Sequence, residues 1–163
     1  MAEHSGGTFT ILCARQADRN LARQAVVELH GRALCDEAAI LDFLSDPARY
    51  LILAVEGERV AGSLNGYALR PPQRREPQFL LYEIDVRPEC QKRGIGQALV
   101  EAFIAEARAA GASEVWVLTN QSNRAAMALY ARCGLRREAH DDVMLNLKLY
   151  SGVRETAEAI ALA

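Results

Sequence analysis

A chain of 163 residues has room for one domain with a sizeable hydrophobic core and little room for a second. Half of its residues are hydrophobic (50%) and a quarter are charged (25%), the composition of an ordinary soluble globular protein. Its formal charge of −2 gives no electrostatic basis for binding nucleic acid or an anionic membrane, and tolerates a cationic partner without requiring one.

The opening stretch MAEHSGGTFT carries an acid and no apolar run, which argues against a signal peptide. No segment approaches the roughly 20 apolar residues that span a bilayer. Cys13, Cys35, Cys90 and Cys133 are scattered and contain no C-x-x-C, so they read as reduced thiols. His4, His30 and His140 show no metal-ligand spacing. The expectation is a cytoplasmic protein without a metal.

In chain order, TFTILCA (8–14) is a first strand. Asp18 is a good N-cap for a helix over 18–34, with Leu21, Ala25, Val26, Leu29 and Ala33 on one stripe. The acid-rich segment 35–46 follows and stops at Pro47. It holds Asp36, Glu37, Asp42 and Asp46 with no basic residue. Strands at 50–56 and 59–69 meet at Gly57 as a hairpin. A proline-bearing loop (70–78) leads to a strand at 79–86 and a helix at 94–110, which Gly111 ends. A buried-type strand (113–120), a short helix (122–134) stopped by Gly134 and a last strand (143–150) complete the order. Strands alternate with helices only in the second half, which predicts an α/β (α+β) protein with a mixed sheet flanked by helices, as one domain over 1–163.

YEIDVRPECQKRGIGQALVEAF (82–103) carries the chemistry. Glycine in a helix interior costs roughly 1 kcal/mol relative to alanine, so Gly94 and Gly96 mark a turn that needs backbone rather than side chain. A helix N-terminus has unpaired N–H groups and a partial positive charge, and Lys92 and Arg93 add formal charge. That combination suits a phosphate or pyrophosphate. Taken alone, Gly-x-Gly after a strand is a weak signal. The turn lacks the Walker A lysine pattern and, with Leu99 at the third position, lacks the dinucleotide-binding fingerprint.

Gln91-Lys92-Arg93-Gly94-Ile95-Gly96 resembles the Q/R-x-x-G-x-G/A loop of the GNAT superfamily of N-acetyltransferases. VLTNQSNRAAMALYARCGLRRE is similar to that superfamily's second signature. The two motifs stand in the right order and cover residues 82–138. The resemblance implies a GNAT fold with six to seven strands and about four helices, and acetyl-CoA as co-substrate. It implies main-chain contacts from Ile84, Asp85 and Val86 to the pantetheine arm. By the same likeness Gln91, Lys92, Arg93, Gly94, Ile95, Gly96 and Gln97 hold the pyrophosphate, and Asn123 and Tyr130 reach the cofactor from the second motif.

Acetyl transfer to an amine needs a group to take a proton, a donor for the oxyanion and a proton for the departing thiolate. Glu83 is the candidate base, directly or through water; its alternative role is to position a cationic acceptor. Strand alternation places Glu83 and Asp85 on one face and Tyr82, Ile84 and Val86 on the other. Tyr130 matches the family tyrosine placed near the cofactor sulfur; its alternative is a packed core aromatic. Cys90, in an exposed-looking loop, and Cys133 have no neighbouring histidine and read as non-nucleophilic.

LHGRALCDE (29–37), the 61–86 segment and AMALYARCGLRRE further resemble the aminoglycoside 3-N-acetyltransferases of type I. By that likeness Asp36 lines the acceptor site and Glu83 faces the amine, on a polycationic aminoglycoside. Glu37 and Asp142, in the two acidic clusters, are further acceptor-site candidates, the alternative being solvated faces. The stretch between the acidic segment and the hairpin is shorter here than in that group, and the chain end differs. Other amines (a polyamine, an amino sugar, a peptide N-terminus) remain open, as does a non-catalytic acyl-CoA sensor. The apolar VMLNLKLY strand suits homodimer pairing.

Overall fold

The computed structural model describes residues 8–31 and 36–137. The elements are β1 (Thr10–Cys13), α1 (Arg19–His30), α2 (Glu37–Ser45), β2 (Arg49–Glu56), β3 (Arg59–Leu69), β4 (Gln78–Val86), α3 (Ile95–Ala109), β5 (Glu114–Val117) and α4 (Arg124–Arg132). One-turn 3-10 segments at Gln16–Asp18 and Pro88–Cys90 lead into α1 and away from β4. Among the described residues the sheet has five strands, and the strand expected at 143–150 lies outside them.

The sheet runs β1-β2-β3-β4-β5 in spatial as in chain order. β1 to β4 form an antiparallel meander, and β5 lies parallel to β4 after the α3 crossover. This is the mixed α/β architecture expected of the GNAT fold. Both faces of the sheet are covered. Ile52, Ala54, Leu64, Phe79 and Leu81 point toward α3 and α4, where they meet Leu99, Phe103 and Tyr130. Leu53, Val55 and Val60 point the other way, against Ala22 and Ala25 of α1 and Leu44 of α2.

The two sides differ in depth. On the α3 side Phe79 and Phe103 stack obliquely, 5.5 Å between ring centroids. Phe103 lies directly on β3: a Cβ at Gly66 would stand 2.4 Å from its ring and 2.7 Å from the Leu80 carbonyl oxygen. Gly66 is therefore a packing glycine, and it lets the sheet and α3 close. On the other side α1 buries small residues, so it sits close to the sheet. It ends at His30, earlier than the periodicity suggests, because Gly31 turns the backbone out at φ +92°.

Candidate active site

β4 and β5 pair only over Gln78–Leu81 and Glu114–Val117. β4 then runs on to Val86 while β5 stops, so the β5-facing edge of Tyr82–Val86 has no strand beside it among the described residues. The Arg87 N–H donates to the Ala61 carbonyl of β3 at 3.0 Å. Main-chain groups alternate in direction along a strand, so Glu83 and Asp85 turn theirs to β3, while Ile84 and Val86 turn theirs to the open edge. The Val86 carbonyl on that edge accepts from Gln91 Nε2 at 3.1 Å.

A bulge decides which side chains face where. Leu81 pairs with Gly66 and Glu83 with Asn65, leaving Tyr82 as an extra residue. Before the bulge Phe79 and Leu81 enter the α3-side core; after it Ile84 and Val86 do. Without the extra residue, Glu83 and Asp85 would point into that core. Strand alternation had assigned Tyr82 to the face of Ile84 and Val86. Instead its exposed ring packs on Tyr67, with 5.7 Å between centroids, and Tyr67 in turn meets Phe43 of α2.

Glu83 and Asp85 thereby reach the end of α1. His30 Nε2 stands 4.0 Å from Glu83 Oε2, and Asn65 Nδ2 of β3 donates to the same oxygen at 3.2 Å. The reactive side-chain atoms of His30, Glu83 and Asp85 lie within 4.8 Å of one another. Burial and the Glu83 charge push the Asp85 carboxyl above its ordinary range, and His30 opposes the rise. Asn65 Oδ1 is the one sealed polar side-chain atom without a partner among the described residues.

On the other side of β4, the glycine turn enters α3. Lys92 (φ +61°) and Gly94 (φ +83°) both adopt left-handed backbone, a turn that exposes successive amides. Gly94 is the N-cap of α3 and provides no side-chain cap. The N–H groups of Ile95, Gly96 and Gln97 have no partner among the described residues, and the space beside Gly94 is open. Several side chains here are already committed. Arg93 is held by Glu56 at 2.5 and 3.2 Å, Gln97 donates to Glu101 at 2.8 Å, and Ile95 is buried in the core. These three offer the turn their backbone, while the Lys92 side chain is exposed.

Tyr130 of α4 is buried, 7% exposed, yet its hydroxyl has no protein partner among the described residues and is not sealed from solvent. Burial first, then the Asp85 and Cys133 charges, push the phenol up, which keeps it protonated at neutral pH. Leu129 on the same helix covers Gly96, tying α4 to the turn. The Asn123 side chain caps α4 by accepting from the Ala126 N–H at 3.1 Å. Cys90, expected in an exposed loop, is buried at 5% exposure because the 3-10 turn folds it under the sheet. Burial pushes the Cys133 thiol up, away from nucleophilic use.

The acidic segment is spent locally. Asp36 accepts from the Ala38 and Ala39 N–H groups at 2.9 and 3.2 Å as the cap of α2. Glu37 pairs with Arg23 at 3.3 Å, and Arg49 takes Asp42 and Asp46. The absence of bases within the segment was no guide, since arginines from α1 and β2 supply them. Asp142 lies outside the described residues.

The sequence profile of the Acetyltransferase (GNAT) family matches residues 18–135. The chain belongs to the GNAT acetyltransferase family. It is 34% identical over 98 residues to mycothiol acetyltransferase of Geodermatophilus obscurus, covering 59% of this chain and 31% of that protein. It is 41% identical over 54 residues to the ribosomal protein bS18-alanine N-acetyltransferase of Escherichia coli K12, covering 33% of this chain and 36% of that one. The chain spans 31% to 52% of the length of the first curated relatives it matches. Among solved structures, an aminoglycoside acetyltransferase from an uncultured soil metagenomic sample, in complex with sisomicin, superposes with a TM-score of 0.74. It shares 20% identity and covers 86% of this chain and 97% of that one, a likeness of fold.

Acetyltransferases of the GNAT family use acetyl-CoA. The residues present fit it. The left-handed turn at Lys92 and Gly94 offers free amides and open space to a pyrophosphate, and the open edge at Ile84 and Val86 offers main-chain groups to an amide-bearing arm. Asp85 does not join that edge: its backbone faces β3 and its side chain faces α1. His30 and Asn65 were missed in the sequence. Neither belongs to a motif, and each meets Glu83 through tertiary contact. A cleft of about 380 Å³ between the end of α3, β5 and Gly134–Arg136 lies away from these groups, where the described residues stop.

Proposed function

We propose that this GNAT protein is an acetyl-CoA-dependent N-acetyltransferase whose acceptor is an amine of a small polycation, the 3-amino group of an aminoglycoside being the leading choice. The observation that carries the reading is the double use of Tyr82–Val86. One edge of this segment is open beside the amide-lined turn of α3, and one face carries two carboxylates that no lysine or arginine pairs with among the described residues. Such a face attracts an ammonium group.

Acetyl-CoA supplies an acetyl group activated as a thioester. The amides of Ile95, Gly96 and Gln97 and the positive end of α3 hold its pyrophosphate. The open-edge N–H groups of Ile84 and Val86 receive the arm and the charge that gathers on the acetyl oxygen. Glu83 takes a proton from the amine at Oε1, which has no partner among the described residues, while Oε2 is held by Asn65. Tyr130 gives its hydroxyl proton to the departing sulfur and regains one as the amide forms. Asn123 and the Lys92 side chain border the cofactor in this reading. Asp36 and Glu37, already paired within the fold, are left the rim of the acceptor site, and Asp142 is kept as an acceptor candidate.

The choice of the 3-amine follows the residue-level likeness to the type I group, and the aminoglycoside acetyltransferase crystallised with sisomicin supports the acceptor class. A peptide N-terminus is the second reading, favoured by the 41% identity to the bS18-alanine enzyme. We place the enzyme in the cytoplasm as a homodimer; no helix among the described residues is long and apolar enough to cross a membrane.

The test is coenzyme A release from acetyl-CoA with gentamicin, kanamycin, spermidine and a short alanyl peptide, with mass spectrometry and NMR of the products. One acetyl group on the 3-amine of gentamicin supports the reading. Turnover on spermidine or the peptide alone rejects the aminoglycoside acceptor and keeps the transfer chemistry. Glu83→Gln should lower turnover by roughly a hundredfold on whichever amine reacts.

A further inference from the structure

Glu83 is gripped through one oxygen. Asn65 reaches Oε2 from β3 and His30 approaches it from the end of α1, while Oε1 has no partner among the described residues. We propose that His30 positions the base: its imidazole Nε2–H, together with Asn65, clamps Glu83 Oε2 so that Oε1 is presented to the incoming amine. This inference rests on the reading of Glu83 as the base.

Three observations carry it. His30 is the last residue of α1, where the free carbonyl ends favour a donor or a cation, and Gly31 at φ +92° turns the chain away so that the imidazole remains beside the sheet. The bulge at Tyr82 aims Glu83 and Asp85 at that helix end and away from the core. The charged groups nearby are engaged elsewhere. Glu28 of α1 pairs with Arg87 at 3.0 Å and Arg59 at 3.2 Å. Arg87 also takes Glu89. On α2, Asp36 caps its own helix and Glu37 pairs with Arg23. From β4 Glu83 and Asp85 lie beside His30, and from β3 the uncharged Asn65 meets Glu83, with Tyr67 in electrostatic reach of it.

The His30–Glu83 separation of 4.0 Å is an ion-pair distance one step longer than a hydrogen bond. Catalytic contacts of this kind tighten when substrate arrives. A glutamate fixed through one oxygen loses the rotamer freedom that would otherwise spread its second oxygen over many directions. His30 thus acts through Glu83 and touches neither acetyl group nor amine.

The test uses the full chain with His30→Phe, which removes the donor, and His30→Gln, which keeps an N–H donor without an imidazole. Relaxation of the Glu83 side-chain methylene carbons by NMR, read with coenzyme A and gentamicin bound (or spermidine if that is the amine which reacts), reports the clamp independently of turnover. The order parameter should fall in His30→Phe and recover in His30→Gln. In acetyl transfer to gentamicin, or to spermidine if that is the amine which reacts, His30→Phe should lower kcat by roughly tenfold while KM changes less than about threefold, with partial rescue in His30→Gln. A folded His30→Phe protein with unchanged Glu83 order and unchanged kcat overturns the proposal while an inactive Glu83→Gln leaves the base assignment standing. An active Glu83→Gln overturns both.

Discussion

The phenol of Tyr130 is packed through its ring and unpaired at its hydroxyl. Its ring belongs to the α3-side core, and its hydroxyl is unsealed and without a protein partner among the described residues. Burial and the Asp85 charge push the phenol up, so at neutral pH it holds a proton to give. Tyr130→Phe keeps the ring and removes that proton. Turnover should fall by roughly a hundredfold, with acetyl-CoA affinity by calorimetry changed less than about threefold. Equal losses in both would assign the residue to packing. Glu83 and Tyr130 could be named as candidates from the sequence because each sits inside a local motif. His30 could not: its only sequence signal is a histidine before a glycine at a helix end, and only the folded sheet brings it beside Glu83. The acids at 36 and 37 have partners that composition cannot show, since Asp36 caps a helix and Arg23 meets Glu37.

The turn between β4 and α3 combines two left-handed residues, a helix start without a side-chain cap and an open approach beside Gly94. Gly94 has open space where a Cβ would go, so Gly94→Ala introduces backbone strain and no clash. That strain is about 1 kcal/mol for an L-residue held in the left-handed region. A small drop in thermal stability is expected, with a larger loss of acetyl-CoA affinity, because relaxing φ at 94 redirects the amides of 95–97. Calorimetry and thermal unfolding of the same variant separate the two. Affinity loss no greater than the stability loss would mean that the amides are not the pyrophosphate site. This turn was legible because glycine and spacing mark it. The bulge at Tyr82 was not, since an extra residue in a strand leaves no compositional mark and shows only in the register with β3. That one residue reversed the expected side of Tyr82 and put both carboxylates outside the core.

In the whole molecule, element order was readable from periodicity and turn residues. Depth was not, because whether a strand face meets α1 or α3 depends on pairing across the sheet. The two-sided core, with Phe79 and Phe103 on one face and Leu53 and Val60 on the other, supports a site that by itself costs stability. Asp85 carries that cost. Burial and Glu83 raise its carboxyl in the folded state, with His30 opposing. The folded chain therefore holds this proton to a higher pH than the unfolded chain, which releases it near pH 3.9. Between the two values the folded state binds more protons, so stability falls as pH rises through that window and the loss persists at neutral pH. Asp85→Asn removes the charge at nearly constant shape. Its melting temperature should exceed that of the parent at pH 7, and the advantage should vanish near pH 3, where both folded and unfolded Asp85 are protonated. A gain that persists at pH 3 would trace to packing instead of charge. No gain at pH 7 would mean that the Asp85 charge does not cost the folded state stability. The expected gain at neutral pH, accompanied by weaker acceptor binding, would identify Asp85 as a charge kept at the expense of stability to receive a cationic amine.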